Sequence, residues 1–201
     1  MGTDVHAVWQ VRKDGKWVDV ASTWEQDRHY LLFSWLANVR NGFGFAGVPT
    51  YNPIEPIARP RGLPADFTGG EDHPLDPTTI PESHQKWYDG ATTIWLGDHT
   101  HSWLSSTEIL AAKRPARVQH TGVVPLSWYQ SWDKVTPPTE WSGGISGRGI
   151  HVAAHPSQIT DKTTHVQIEW DSGDELDYFV AEVQRLHELH GEVRLVFGFD
   201  S

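Results

Sequence analysis

The chain contains no cysteine and a single methionine. Without thiols it can form no disulfide and offers no thiolate to a metal ion, so any metal ligands must come from histidine and carboxylate side chains. The lack of cysteine also fits a protein of the reducing cytoplasm.

Cations and long apolar runs are scarce as well. Only 16 lysines and arginines accompany 26 aspartates and glutamates, which gives a net charge of −10. This balance argues against a general nucleic-acid binder, which needs a cationic surplus, while leaving room for a small anionic ligand held by local donors. No apolar run reaches the length of a membrane span, and the amino terminus lacks a secretory pattern. We expect a cytoplasmic protein with no membrane partner.

Tryptophan, in contrast, is abundant, with 11 residues in a chain of 201. Such large side chains supply both core burial and stacking surfaces for ligands. They offset an apolar fraction of only 38%. The length suits one core, so we predict a single domain over residues 1–201.

The spacing of apolar residues predicts both strands and helices. Residues 4–11 alternate in polarity, and an Asp-Gly pair at 14–15 before residues 16–20 is typical of a β-hairpin. Residues 28–40 carry apolar side chains at helical spacing. Further strands are predicted at 92–96, 150–154, 164–170 and 193–199, and further helices after Ser105 and over 174–190. The pattern predicts an α+β fold with a mainly antiparallel sheet and about three helices.

Residues 94–103, Ile-Trp-Leu-Gly-Asp-His-Thr-His-Ser-Trp, place an acid and two histidines between two tryptophans. In a regular strand His99 and His101 project to the same face. A capping box of Ser105 and Glu108 predicts a helix directly afterwards. The free N–H groups at such a corner favour an anion. The histidines are interpreted either as ligand-binding residues or as polar residues at the rim of a sheet.

A His-x-His pair can also present two neutral imidazoles to one metal ion. The predicted first strand carries Asp4 and His6 on one face. Together, Asp4, His6, His99 and His101 form a candidate ligand set for a divalent ion such as zinc, manganese or iron. This hypothesis requires the first strand and the His-x-His segment to lie close together in the fold.

Residues 42–90 lose regular periodicity and contain eight of the 13 prolines. An irregular connection of this length within a domain is often functional. It includes Arg59 and Arg61, whose neighbouring prolines stiffen the backbone. We expect this loop to fold over the ligand site, and a plain surface excursion is the alternative.

A glycine-rich stretch at residues 142–149 can turn several backbone N–H groups toward a phosphate, with Arg148 adding a charge-assisted bond. It matches neither the P-loop nor the dinucleotide-binding pattern, so a simple turn before a strand is the alternative. The aromatic-rich residues 115–141 are interpreted either as a loop packed on the core or as a stacking wall for a planar ligand.

Several blocks resemble a family of small, largely uncharacterised proteins of phages and bacteria. The opening Met-Gly-Thr-Asp-Val-His is similar to the Met-Gly-Cys-Asp-Ile-His opening of that family, with Thr3 in place of cysteine. Further similar blocks span nearly the full chain, at residues 28–41, 60–64, 99–103 and 193–200. The resemblance implies a phage or prophage setting in the host cytosol. By analogy, it implies a protein that binds or destroys a nucleotide signal of host defence.

Three functional hypotheses follow. The first is a binding protein that sequesters a small anionic nucleotide-derived ligand. Its candidate binding residues are His99, His101, Ser102, Trp103, Arg59, Arg61 and Arg148. The second is a metal-dependent phosphoester hydrolase, in which a metal-bound water attacks such a nucleotide. The third is a non-enzymatic interaction protein with solvated histidines. The sequence assigns no catalytic residue, and a homo-oligomer is expected by analogy with signal-sequestering proteins.

Overall fold

The computed structural model describes residues 2–43, 51–69, 76–80, 91, 93–115, 117–136, 160–171 and 173–201. Within these residues there are six strands, four α-helices and a 3₁₀ turn at Pro77–Thr79. The strands are β1 (Asp4–Lys13), β2 (Lys16–Val20), β3 (His99–Ser105), β4 (Arg117–Pro125), β5 (Thr163–Asp171) and β6 (Val193–Asp200). The helices are α1 (Tyr30–Ala37), α2 (Ser106–Ala111), α3 (Leu126–Ser131) and α4 (Gly173–His190). Every strand pairing is antiparallel, which confirms the predicted α+β class.

Contacts group the residues into two compact units. A two-stranded unit comprises Met1–Gly2, Arg28–Pro56 and Lys113–Asp177. A four-stranded unit comprises Thr3–Asp27, Ile57–Ala112 and Tyr178–Ser201. The single domain over residues 1–201 stays a prediction.

The four-stranded unit contains a sheet in the order β2-β1-β6-β3. Asp14 and Gly15 connect β1 to β2 with φ angles of 48° and 80°. Two successive positive φ angles match the right-handed twist of the flanking strands, and Lys13 pairs with Lys16 across the turn. The predicted amino-terminal hairpin is confirmed. Because β6 pairs with both β1 and β3, the end of the chain lies between two segments that are far apart in sequence.

One face of this sheet is apolar. Leu195, Phe197 and Phe199 of β6 are fully buried, and Trp9 of β1 is paired with Leu195 and therefore shares their face. The Trp9 ring lies 6.0 Å from the ring of Phe179 on α4. Burial of these large side chains against the helix supplies the main hydrophobic stabilisation of the unit.

The opposite face is covered by irregular chain. Phe67 and Leu96 form a buried cluster with Val196 of β6, and Val8, Ile94 and Trp103 pack against it. Residues 57–69 therefore include a segment that packs over the middle of the sheet at Phe67. Coverage of the ligand site by the loop stays a prediction. Residues 44–50, 70–75 and 81–90 of that loop lie outside the description.

In the two-stranded unit, β4 and β5 pair along their full length, from Arg117 opposite Asp171 to Pro125 opposite Thr163. Every residue of α1 is buried. Leu31 of this helix packs with Tyr51 and Val118 in a small core. A helix that is buried on all sides is apolar around its whole circumference, and the sequence of α1 is accordingly almost continuously apolar.

Several predicted boundaries differ from those observed. The strand predicted at residues 92–96 is wrong: residues 93–98 are irregular, with Gly97 at φ 80°, and the strand begins at His99. The helix predicted over 28–40 is confined to α1, because Asn38 adopts a left-handed conformation that ends it. The predicted strand at 150–154 lies outside the description. Among the described residues, no helix is long and apolar enough to cross a membrane.

Candidate functional site

The sheet brings the amino-terminal acid and histidine to the same end as the His-x-His segment. His6 lies opposite Gly198 on β6, and Asp4 lies opposite Asp200. On the other side of β6, His99 lies opposite Phe199. The neighbourhood that the metal and ligand hypotheses required is therefore present, with the end of β6 between the two groups.

His6 and Asp200 form the central pair of this site. The His6 Nε2 atom lies 3.2 Å from Asp200 Oδ2, and the backbone N–H of Asp4 donates to the other carboxylate oxygen at 3.0 Å. Both His6 and Asp200 are partly exposed to solvent. A carboxylate that accepts from an imidazole fixes the orientation and the tautomer of the ring.

Trp95 completes the partly exposed surface beside this pair. Its side chain is 59% exposed, and its ring centroid lies 4.2 Å from that of His6 at an interplanar angle of 50°. Leaving most of an indole in water forgoes the burial that such a side chain normally gains. Trp95 belongs to the segment singled out in the sequence, but the spacing gave no reason to place it in the candidate site.

His101 is positioned by two glycines. Its Nε2 atom donates to the carbonyl oxygen of Gly97 at 3.1 Å. A Cβ atom at position 198 would lie 2.5 Å from the His101 ring and would overlap the Leu96 carbonyl oxygen. The absence of a side chain at Gly198 therefore lets the ring lie directly over β6. Because His6 is paired with Gly198, His6 and His101 share one face of the sheet.

His99 has different neighbours, and the expectation that both imidazoles project to one face is wrong. Thr100 has a φ of 56°, and the pairing with β6 shifts register between His99 and Ser102. This bulge breaks the simple alternation of a strand. The His99 ring stacks near Phe199, at a centroid distance of 6.2 Å, and His99 Nε2 lies 3.4 Å from the Ser201 hydroxyl. His99 thus lies on the face opposite His101.

The predicted metal ligands are only partly brought together. Within the described part of the chain, which includes all four of them, no group of three or more histidine, aspartate and glutamate side chains is arranged to hold an ion. His101 already uses Nε2 on a backbone carbonyl, and His6 uses Nε2 on Asp200. Binding of a divalent metal at Asp4, His6, His99 and His101 stays a prediction.

Arg61, Ser102 and Trp103 make structural contacts with one another. The Arg61 guanidinium lies 4.5 Å from the Trp103 ring centroid and donates to Glu108 at 2.6 Å. The Arg61 backbone N–H donates to the hydroxyl of Ser102, which is buried. Burial opposes ionisation of Glu108, but hydrogen bonds from the Ser105 amide and from Arg61 outweigh it and lower the pKa of the carboxyl group. These contacts fasten the proline-rich segment to β3.

The remaining predicted ligand residues are dispersed or outside the description. Arg59 is exposed. Arg148 and the whole glycine-rich stretch at 142–149 lie outside the described residues. The roles predicted for these arginines in ligand binding stay predictions.

A second polar group on the same face of the sheet was missed by the sequence analysis. The Arg194 side chain is 4% exposed and donates to Gln10 at 2.9 Å and to Asp66 at 2.6 Å. It also lies 4.2 Å from the Trp17 ring centroid. Burial lowers the pKa of the guanidinium, and Asp66 opposes this effect. The arginine within the otherwise apolar run 193–199 could have indicated this polar group, because a cation that is buried in a strand needs a polar or acidic partner.

Comparison of the chain with protein-family models, with curated proteins and with solved structures finds no match. Function must therefore be inferred from the arrangement of side chains. A solvent-exposed indole beside an oriented imidazole, with a second imidazole on the same face, can stack on a planar ring and make a few directed hydrogen bonds.

Proposed function

We propose that the chain binds a small nucleotide-derived ligand at the surface formed by His6, Trp95, His101 and Asp200. One observation carries this proposal: the exposed Trp95 indole lies 4.2 Å from the His6 ring, measured between ring centroids. Asp200 orients the His6 ring through a hydrogen bond. Ligand sites combine apolar or aromatic surface with a small number of placed polar groups. Stacking of a base on an aromatic side chain is worth about 1–3 kcal/mol.

The resemblance to small phage proteins supports a more specific role. A phage protein that holds a nucleotide without releasing it would lower the free concentration of a host-defence signal. Sequestration in the host cytosol is the function that we propose on this basis, and a pocket built between subunits of a homo-oligomer would serve it. Equilibrium sedimentation of the purified protein tests the oligomeric state.

Thermal denaturation with a panel of linear and cyclic nucleotides tests the binding function. A ligand present at 100 times its dissociation constant adds about 2.7 kcal/mol to the free energy of unfolding. Trp95→Ala should weaken binding by about 1–3 kcal/mol, the value of one stacked base. Tyr178→Ala is the control, because that exposed aromatic ring lies on α4 and its hydroxyl donates to the Thr23 carbonyl oxygen. A panel in which no nucleotide stabilises the protein would overturn the proposal.

Hydrolysis of the nucleotide is the second candidate function, and the His6–Asp200 pair is the observation that favours it. An imidazole oriented by a carboxylate can act as a general base, and the same pairing surrounds histidines that bind catalytic metal ions. Recovery of the nucleotide after incubation separates the two functions: intact nucleotide supports sequestration, and product supports hydrolysis. Metal analysis of protein purified without a histidine tag tests for zinc, manganese or iron.

A further inference from the structure

We infer that His6 and His101 offer hydrogen-bond acceptors to the ligand, so that the nucleoside part lies on this surface and the phosphates point away from it. The inference rests on the proposed function and names the part of the ligand that the two imidazoles recognise. It departs from the expectation that the histidines attract an anion.

The positions of the ring protons follow from the partners of the two rings. An ionised carboxylate and a backbone carbonyl can only accept hydrogen bonds. His6 Nε2 faces the Asp200 carboxylate, and His101 Nε2 faces the Gly97 carbonyl. Both Nε2 atoms therefore carry a proton. In a neutral imidazole the other nitrogen, Nδ1, then carries a lone pair and acts as an acceptor.

The two Nδ1 atoms remain available. Among the described residues, neither His6 Nδ1 nor His101 Nδ1 has a hydrogen-bond partner. Both side chains are partly exposed, and both lie on the face of Gly198. Groups that satisfy such acceptors are ribose hydroxyls and the N–H groups of a base, and Trp95 provides the adjacent stacking surface.

The charges near the pair disfavour a phosphate. Asp200 accepts directly from His6, and the exposed Asp98 adjoins the His-x-His segment. Within the described residues, the hydrogen bonds and the ion pair that position His6, His101 and Asp200 involve no lysine or arginine. A phosphate would meet like charge here, and the repulsion between like charges grows where solvent is partly excluded.

Nitrogen NMR of histidine-labelled protein tests the proton positions directly. At about pH 8, where histidine is normally neutral, His6 and His101 should both show the Nε2-protonated tautomer. Spectra of His6→Gln and His101→Gln assign the signals. An Nδ1-protonated tautomer at either residue would overturn the inference without affecting the proposed function.

Calorimetric titration tests the orientation of the ligand. The probes are the four common ribonucleosides, their 5′-monophosphates, inorganic phosphate and pyrophosphate. A nucleoside should retain its nucleotide's affinity to within about tenfold, since a neutral hydrogen bond lost or gained is worth about 1 kcal/mol. Phosphate and pyrophosphate should neither bind nor compete.

Substitution of the two histidines gives the sharpest distinction. His6→Gln and His101→Gln should each weaken nucleoside binding, whereas His190→Gln, at the end of α4, should leave it unchanged. Competition by phosphate against a bound nucleoside would overturn the inference and leave nucleotide binding intact. Failure of every nucleoside and nucleotide to bind would overturn the proposed function itself.

Discussion

Glu182→Gln should destabilise the four-stranded unit, because this carboxylate holds the segment after β2 onto α4. The Glu182 side chain is almost fully buried and accepts from the Ser22 hydroxyl at 2.7 Å. It also accepts from the backbone N–H and the hydroxyl of Thr23, both at 2.8 Å. Arg185, one helical turn along, donates to both carboxylate oxygens.

The size of the effect follows from the pKa of Glu182. Hydrogen bonds from Arg185 lower this pKa, burial opposes them, and bonds from Ser22 and Thr23 contribute further, so the pKa falls from 4.5 to about 2. Such a fall corresponds to about 3 kcal/mol of preference for the charged form in the folded state. Arg185 is 46% exposed, so solvent screens part of its contribution. Since glutamine keeps one acceptor oxygen, we expect a loss of about 1–3 kcal/mol at neutral pH.

The sign of the pH dependence is fixed by the lowered pKa. A carboxyl group whose pKa is lower in the folded state stabilises the fold above its unfolded value of 4.5, and this stabilisation is lost as the pH falls toward 2. The difference in unfolding free energy between wild type and Glu182→Gln should therefore be full at neutral pH and should shrink below about pH 4.5.

Urea denaturation at a series of pH values measures this difference. Glu188→Gln is the control, because Glu188 is exposed on the same helix and its one side-chain hydrogen bond among the described residues comes from Gln184. It should change stability by less than about 0.5 kcal/mol, as surface substitutions do. A Glu182→Gln protein as stable as wild type at neutral pH, or a difference that persists undiminished in acid, would refute the reasoning.

Two further substitutions test the face of the sheet that carries the candidate site. Gly198→Ala should cost about 1–3 kcal/mol of stability, because the added methyl group would overlap the Leu96 carbonyl oxygen and the His101 ring. Nucleotide binding should fall as well. If urea denaturation shows unchanged stability, the close packing at Gly198 is contradicted. Asp66→Asn should cost about 1–2 kcal/mol, because the buried Arg194 would lose its charged partner. Asp66 is 61% exposed, so added salt should reduce that loss, and a loss insensitive to salt would argue against a charge effect.

Short-range signals in the sequence predicted several elements correctly. The Asp-Gly pair at 14–15 gives the turn of the β1–β2 hairpin. Ser105 and Glu108 form both hydrogen bonds of the predicted capping box, at 3.1 Å and 2.9 Å. These features depend on residues a few positions apart, so the local sequence determines them almost completely.

Features that depend on tertiary contacts were harder to predict. The His29 ring caps α1 by accepting from the Leu32 N–H at 3.1 Å, and histidine is not among the residue types that commonly cap a helix. Nothing in the residues around Thr100 indicates a left-handed conformation there, because threonine rarely adopts one. That conformation occurs where the pairing with β6 shifts register, and the shift places His99 and His101 among different neighbours.

Alternation along β6 explains why the polar groups of the four-stranded unit collect on one face. Leu195, Phe197 and Phe199 point toward α4, so the residues between them point toward the proline-rich segment. Arg194 and Asp200 lie near opposite ends of that second face, and Val196 between them is covered by Phe67 and Leu96. The irregular segment therefore excludes water from the middle of β6 on this face, as α4 does on the opposite face. Among the described residues, His6 and Asp200 at the other end of this face stay partly exposed, and the proposed ligand would reach His6 and His101 from there.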